Sequence, residues 1–320
     1  MKQSRIVAAA FCLVAVAVIA FSAYRLVNIG RQETSYEISV VLNNSSSDRW
    51  IAFKEGLEQG AEDYSIHLNI VTTADLEDLE DEVAILEREV ANGAEGIIVQ
   101  LCASSGAEML LQGWNSSVAL VLVETDAEPA GTYAAALPDN ESMGEALARA
   151  AADDAGGSLS GKTIGILAGN QEQLAMQQRL EGFTQAVSDA GGEILWTLEK
   201  KEASLEQVAE QQADRHADIL VSLENDETER AVDYLLSAGE DGILLYGVGC
   251  SEKNVYYLDK GTITGLVVPN EFNMGYQSVA LVAQRLEDRK TERAEIGYIL
   301  VDKETMYNEE SQKVLFPIVQ

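Results

Sequence analysis

Cysteine and histidine are scarce in this 320-residue sequence, which contains only three cysteines and two histidines. These are too few metal-binding side chains for a structural zinc site. The sequence also lacks a Cys-x-x-Cys pair, the motif that would suggest redox chemistry. Three cysteines also exclude a disulfide framework, which needs several pairs. We therefore expect a protein without a bound metal or cofactor.

Basic residues are scarce as well, because 22 lysines and arginines face 53 aspartates and glutamates, which gives a net charge of −31. Proteins that bind nucleic acids need clustered lysine and arginine to contact the phosphates, so no nucleic-acid partner is expected. The four prolines and 25 glycines do not form a linker-like or collagen-like composition. Hydrophobic residues make up 47% of the chain, which indicates a packed globular protein.

Catalytic motifs are missing too. No Gly-x-Ser-x-Gly lies near His67 or His216, the only histidines that could serve a nucleophilic triad. No P-loop is present, and no Gly-x-Gly-x-x-Gly follows a predicted strand. A glycosidase needs only two carboxylates at a fixed separation, which so acidic a sequence does not exclude. Since no motif indicates catalysis, we predict that the protein is not an enzyme.

One long apolar run, residues 6–24, contains no charged residue and follows Lys2 and Arg5. A helix of this length is about 28 Å long, close to the roughly 30 Å of the hydrocarbon core of a bilayer. A secretory signal peptide is shorter, although residues 20–22 would make an acceptable cleavage site. We favour an uncleaved membrane anchor within residues 1–35. The rest of the chain is then extracytoplasmic, either tethered to the membrane or, after cleavage, secreted.

The rest of the chain alternates short β-type runs with amphipathic helical segments. Residues 37–42 form a short β-type run and residues 118–123 a fully apolar one, whereas residues 76–90 carry leucine and valine at helical spacing. Such alternation predicts a parallel sheet with helices on both faces. The pattern of strand and polar loop at residues 36–44 starts again at residues 162–170.

More than eight strands are predicted, which makes a TIM barrel the second choice. We predict an α/β fold with two doubly wound parallel-sheet lobes, preceded by one N-terminal membrane helix. Cys102 and Cys250 each follow a predicted strand, one in each lobe. A disulfide between them would lock the lobes together, and we expect free thiols instead.

Polar side chains follow several predicted strands, at the edge where open α/β sheets bind ligands. Ser46 and Asp48 lie in the loop after the first strand, and Trp50 could stack on a sugar or belong to the core of its helix. Gln100 ends the third strand, and Glu124 follows a fully apolar one. A carboxylate at the end of a buried strand needs a polar partner, so we favour a ligand contact for Glu124.

Five blocks of the sequence resemble the type I periplasmic binding proteins, the ribose- and galactose-binding class. They are LNN and AFKEGLEQGA within residues 42–61, ANGAEGIIVQ at 91–100, QRLEGFTQAV at 178–187, LENDETERAV at 223–232 and NEFNMGYQSVAL at 270–281. Their order and spacing carry the likeness, which covers residues 36–305.

The resemblance implies two lobes joined by a three-segment hinge, with a small ligand between them. The first lobe would comprise residues 36–138 plus 269–294, and the second residues 139–268 plus 295–320. Closure of the lobes over the ligand would be a hinge motion.

The resemblance also implies roles for individual residues. Trp50 takes the place of a stacking aromatic residue, Glu124 that of an aspartate that accepts two sugar hydroxyls, and Arg179 and Asn225 those of a binding arginine and asparagine. Without the resemblance, Arg179 reads as a surface helix residue and Asn225 as a helix N-cap. The ligand-binding residues that we expect are Ser46, Asp48, Trp50, Gln100, Glu124, Arg179, Asn225 and Asn270.

Three departures from the family pattern concern the ligand. Gly249 replaces the family's second-lobe aspartate, Thr125 replaces an arginine, and a second stacking aromatic is lost around Ala203. A complete clamp for a common hexose or ribose is therefore not expected.

The function implied by the resemblance is that of a monomeric extracytoplasmic solute-binding protein. It would capture a small polar, sugar-like ligand for the permease of an ABC transporter. The alternative is a membrane-anchored subunit that presents its ligand to a sensor histidine kinase. A regulator of the lac-repressor family would need a helix-turn-helix headpiece where this chain has its apolar segment, so we discard it.

Overall fold

The computed structural model describes residues 36–317 except residues 77, 200–203, 241 and 288–292. The predicted anchor or signal segment, residues 1–35, lies outside the described residues, as does Ala203. Within the described part of the chain, no helix has the length and apolar character needed to cross a membrane.

Two six-stranded sheets organise the described residues. The first has the order β11-β5-β4-β3-β1-β2 and consists of β1 (Tyr36–Val41), β2 (Ile66–Ile70), β3 (Gly96–Val99), β4 (Ala119–Val123), β5 (Ala134–Pro138) and β11 (Ala294–Ile296). The second has the order β12-β10-β9-β8-β6-β7 and consists of β6 (Thr163–Leu167), β7 (Glu193–Leu198), β8 (Ile219–Ser222), β9 (Leu244–Val248), β10 (Gly265–Pro269) and β12 (Tyr298–Asp302).

The helices follow the strands in alternation. Those associated with the first sheet are α1 (Ile51–Tyr64), α2 (Leu79–Ala91), α3 (Ala107–Leu111), α4 (Trp114–Ser117) and α10 (Glu271–Leu286). Those associated with the second sheet are α5 (Asn140–Asp154), α6 (Leu174–Asp189), α7 (Leu205–Asp214), α8 (Asn225–Ala238), α9 (Glu252–Lys260) and α11 (Glu309–Leu315). The predicted α/β fold with two mainly parallel sheets is confirmed.

The central strands β3 and β4 are buried along their whole length, which their uninterrupted apolar sequences predict for a parallel sheet covered on both faces. Helix pairs cover the sheets and approach closely at glycine. A Cβ at Gly56 in α1 would lie 1.9 Å from the Phe272 carbonyl oxygen of α10, and one at Gly144 in α5 would lie 2.0 Å from the Arg179 carbonyl oxygen of α6. Any side chain at Gly56 or Gly144 would therefore push the two helices apart.

Two local expectations were wrong. The sequence pattern at residues 296–301 predicts one final strand, but the chain is divided there at Gly297, because β11 pairs with β5 in the first sheet and β12 pairs antiparallel with β10 in the second. Asp48 is of a residue type that caps helices, so its position predicts the N-cap of the first helix. In the structure Ser47 accepts a hydrogen bond from the Arg49 N–H, and a short 3-10 helix over residues 48–50 precedes α1, so Asp48 does not cap it. The chain therefore passes between the two sheets three times, after β5, after β10 and at Gly297.

Candidate functional site

A buried polar cluster lies where the carboxyl ends of β1, β3 and β4 face the second sheet, and Glu124 is its centre. Glu124 directly follows β4, is 4% exposed and has a positive φ of 63°. Its N–H donates to the Ala136 carbonyl, and its own carbonyl accepts from Nδ2 of Asn140. These backbone contacts hold the left-handed turn, which carries the carboxylate inward from the end of the strand.

Three side chains donate to the Glu124 carboxylate. Nη2 of Arg49 lies 2.7 Å from Oε2, and Nε2 of Gln100 lies 2.5 Å from the same oxygen. Nη2 of Arg179, on α6 of the other lobe, lies 3.3 Å from Oε1. Burial opposes ionisation of Glu124, but the charges of Arg49 and Arg179 outweigh it and lower the pKa of the carboxyl.

Arg179 is only 1% exposed, so it is a buried residue and not a surface helix arginine. Its Nε donates to Oδ1 of Asn140 at 2.8 Å, and its Nη1 donates to the Leu223 carbonyl at 2.9 Å. Together with the contact to Glu124, these bonds engage all three guanidinium nitrogens. Arg179 therefore joins the end of β4, the start of α5 and the end of β8.

Arg49 is a functional candidate that the sequence analysis missed. Its guanidinium stacks on the Trp50 ring at 4.0 Å from the centroid while it pairs with Glu124. The Nε atom is buried and has no hydrogen-bond partner among the described residues. In the sequence, Arg49 is marked by its position between Asp48 and Trp50, two residues that are predicted to bind the ligand.

Glu271, the first residue of α10, is the second candidate that was missed. It is 5% exposed, and its buried Oε2 has no hydrogen-bond partner among the described residues. Burial raises the pKa of Glu271 to about 8, although the nearby charge of Arg49 opposes the rise. Glu271 is therefore largely protonated near neutral pH.

The expected residues of the first loop differ in their surroundings. Trp50 is fully buried, and its Nε1 donates to the Asn43 carbonyl at 3.0 Å. One face of its ring is covered by Arg49, so stacking on a sugar stays a prediction that requires Arg49 to move. Ser46 and Asp48 are exposed, and the Ser46 hydroxyl donates to Oδ1 of Asn44.

Asn225 and Asn270 both make local contacts. Oδ1 of Asn225 accepts from the Ser251 N–H and from Nδ2 of Asn254, each at 3.1 Å, which links the loops after β8 and β9. Oδ1 of Asn270 accepts from the Asn273 N–H and caps α10. Their ligand contacts stay predictions, whereas Gln100, Glu124 and Arg179 meet in one cluster.

The departure at Gly249 has a structural reason. Gly249 has a positive φ of 118°, and a Cβ there would lie 2.3 Å from Oδ1 of Asn225. An aspartate at this position is excluded by the Asn225 side chain, which takes up the space beside Gly249. Thr125 also has a structural role, because its hydroxyl accepts a hydrogen bond from the Ala175 N–H at 3.1 Å.

The two lobes also touch directly beside the cluster. Nδ2 of Asn170 donates to the Cys102 carbonyl at 2.8 Å, and Nε2 of Gln173 donates to the Leu101 carbonyl at 2.7 Å. The Ser104 N–H donates in the opposite direction, to the Glu172 carbonyl at 2.8 Å. The lobes are therefore closed on each other along the loop before α6. Within the described ranges, no disulfide joins Cys102 to Cys250, and no group of three metal-binding side chains occurs.

A family model described as "Periplasmic binding protein domain" matches residues 38–290. The search of curated proteins gives no match.

Several solved structures share the fold. A solute-binding protein of an ABC transporter from Agrobacterium vitis with bound D-fucose has a TM-score of 0.80 at 18% identity, covering 88% of this chain and 100% of that one. GanP, a glucose-galactose binding protein from Geobacillus stearothermophilus, has a TM-score of 0.75 at 20% identity, covering 85% and 99%. The XylFII-LytSN complex contains a chain with a TM-score of 0.73 at 16% identity, covering 84% and 98%.

Proposed function

We propose that this chain, which belongs to the periplasmic binding protein family, captures a small polar solute between its lobes, with a sugar as the first candidate. It delivers the solute to the permease of an ABC transporter and works outside the cytoplasm, tethered to the membrane or secreted. Similar structures of sugar-binding proteins, one described with bound D-fucose and one as a glucose-galactose binding protein, support this choice.

Two buried atoms without partners among the described residues carry the proposal. Nε of Arg49 is a donor and Oε2 of Glu271 is a carboxyl oxygen, and the charge of Arg49 acts on the Glu271 carboxyl. A buried polar atom without a partner costs about 1–3 kcal/mol. A ligand hydroxyl both donates and accepts hydrogen bonds, so a polyhydroxylated solute can satisfy both atoms.

Arg49 lies between a bound ligand and two other groups of the cluster. It covers one face of Trp50 and pairs with Oε2 of Glu124, the two groups that a sugar would use for stacking and for hydroxyl binding. A sugar that displaces Arg49 gains both groups, whereas a smaller solute can bind beside Arg49 and contact Glu271. We propose that the Arg49 side chain moves when the full site is occupied.

A thermal-shift screen over sugars, polyols, nucleosides and amino acids tests the proposal. A ligand at a hundred times its Kd stabilises the folded form by about 2.7 kcal/mol. We expect at least one sugar or polyol to raise the Tm, and Glu271→Gln to reduce that shift. Glu145→Gln, on the solvent-facing side of α5, should leave the shift unchanged. If no polyhydroxylated compound shifts the wild type, the function is wrong. If Glu271→Gln retains the full shift, the site is wrong.

A partner protein other than a permease is the second candidate, because one similar structure is a two-protein complex. In that case the chain presents its ligand to a membrane sensor histidine kinase. Deleting the gene in the native host separates the two functions. Lost uptake of the sugar found in the screen supports transport, whereas unchanged uptake with lost sugar-dependent transcription supports presentation.

A further inference from the structure

Arg49 also forms part of the wall of a cavity of about 410 Å³ that lies beside the interlobe cluster. This volume is within the roughly 300–1,000 Å³ of small-molecule sites. The walls come from both lobes, with Ile51 at the start of α1, Val255 and Tyr256 on α9, and Phe316 after α11. The cavity therefore adjoins the proposed ligand site and lies, like that site, between the lobes.

The lining of the cavity differs from the polar cluster, since most of it is apolar or aromatic. Tyr256 and Tyr307 are 54% and 56% exposed, which is high for such large side chains. Aromatic side chains supply large contact areas, and exposed apolar surface in a concave site marks binding. The aliphatic side chains of these walls, such as Ile51 and Val255, offer no hydrogen bond to a ligand hydroxyl.

The charges around the cavity are mostly negative. Asp48 and Glu252 come from opposite lobes, and neither forms an ion pair among the described residues. Asp259 accepts from the Tyr307 hydroxyl at 3.0 Å. Arg49 pairs with Glu124 at 2.7 Å, an acid that it shares with Arg179. Among the described residues of the lining, Arg49 is the one cation beside the three acids Asp48, Glu252 and Asp259. An uncharged or cationic group is therefore favoured here over an anionic one.

We propose that this cavity is an annex of the ligand site that binds an apolar, uncharged or cationic substituent of the ligand. The ligand class is then a hydroxylated head with an aryl or alkyl substituent, such as an aryl glycoside. The inference rests on the proposed function for the binding of the hydroxylated head group. The substituent itself would be bound by the apolar and aromatic side chains of the annex. Arg49 links the two parts, because it belongs to the buried cluster and also lines the cavity.

Disulfide tethering tests the annex without knowledge of the head group. In the full chain with Cys250→Ala, the thiol introduced by Glu252→Cys lies at the cavity, and Glu206→Cys on exposed α7 provides the matched control. Each variant is equilibrated with cysteamine mixed disulfides that carry phenyl, aminomethylphenyl or carboxyphenyl fragments. The thiolate attacks the disulfide, binds the fragment and releases cysteamine, and peptide mass spectrometry measures the yield at the introduced residue.

We expect phenyl and aminomethylphenyl fragments to exceed the carboxyphenyl fragment about tenfold at Glu252→Cys, and no preference at Glu206→Cys. Ala52→Phe, which fills the cavity from α1, should remove the preference. Equal yields for all fragments at Glu252→Cys would overturn the annex. A preference that appears only after deletion of residues 318–320 would also overturn it, because the chain's own C-terminus would then be the occupant. The sugar screen can fail while this preference holds, so the two proposals fail separately.

Discussion

Glu124 and Arg179 lie in different lobes, and Nη2 of Arg179 donates to Oε1 of Glu124 across the cleft at 3.3 Å. Arg49 pairs with the other carboxylate oxygen, so two arginines share one buried acid. The Glu124 carboxylate holds both guanidinium groups in place. It therefore also couples the position of the second lobe, through Arg179, to the loop after β1, which carries Arg49. A ligand that rearranges Arg49 therefore acts on a residue that already joins the lobes.

Glu124→Gln should strongly destabilise the protein, because Arg49 and Arg179 would keep their buried charges without a counter-ion. Breaking a buried pair in this way costs about 3–5 kcal/mol. Urea denaturation measures the loss, and Glu145→Gln, which removes an exposed partner of Arg149, should cost at most about 1 kcal/mol. Similar losses for the two variants would show that the cluster is not a buried charge network.

Stability should fall as the pH rises from about 5 to 8, and Glu271 should be one cause. The pKa of Glu271 is raised by burial to about 8 in the folded protein, above the value of about 4.3 in an unfolded chain. The folded state then holds the proton more tightly, so its advantage is full at low pH and declines as the pH passes through this window.

Glu271→Gln should remove this part of the pH dependence, since the amide does not titrate. Urea denaturation between pH 5 and pH 9 measures it, and Glu141→Gln, an exposed acid in the first turn of α5, is the control. Parallel pH profiles for wild type and Glu271→Gln would show that the carboxyl titrates normally.

Gly249→Ala should cost about 3 kcal/mol or more, because the new Cβ meets Oδ1 of Asn225 and the positive φ is unfavourable. Gly239→Ala is the matched control, since Gly239 also has a positive φ but no atom within 4 Å of the added Cβ. Its cost should be about 1 kcal/mol. Thermal unfolding compares the two, and equal losses would remove the steric explanation for the absent aspartate.

Occupation of the full site should change tryptophan fluorescence, because Arg49 leaves the Trp50 ring when the ligand takes its place. Titration with the sugar found in the screen should give a saturable change with the same Kd as the thermal shift. Trp50→Phe should abolish the fluorescence change, while the thermal shift still reports binding with a weaker Kd, because a phenyl ring offers a smaller stacking face. A signal that persists in Trp50→Phe would place the response at another tryptophan.

Part of the buried polar cluster followed from local patterns. Glu124 was predicted because it follows a fully apolar strand, and Gln100 because it ends another. Arg49 and Glu271 were missed, because burial of a charged side chain is not visible in its neighbours along the chain. The division of the last strand at Gly297 was missed for a related reason, since its two halves pair with different sheets.

By itself the sequence determined the alternation of strands and helices, the repetition of one lobe pattern in two halves and the acidic character of the protein. These properties depend on periodicity and composition, which are local. Only the tertiary structure decided that Glu124 would hold Arg49, 75 residues away, and Arg179, 55 residues away. The pair of Arg49 and Glu124 forms because β1 and β4 end at the same edge of the first sheet. The pair of Glu124 and Arg179 forms because a helix of the second half covers that edge and excludes water, which no short segment of the chain can do.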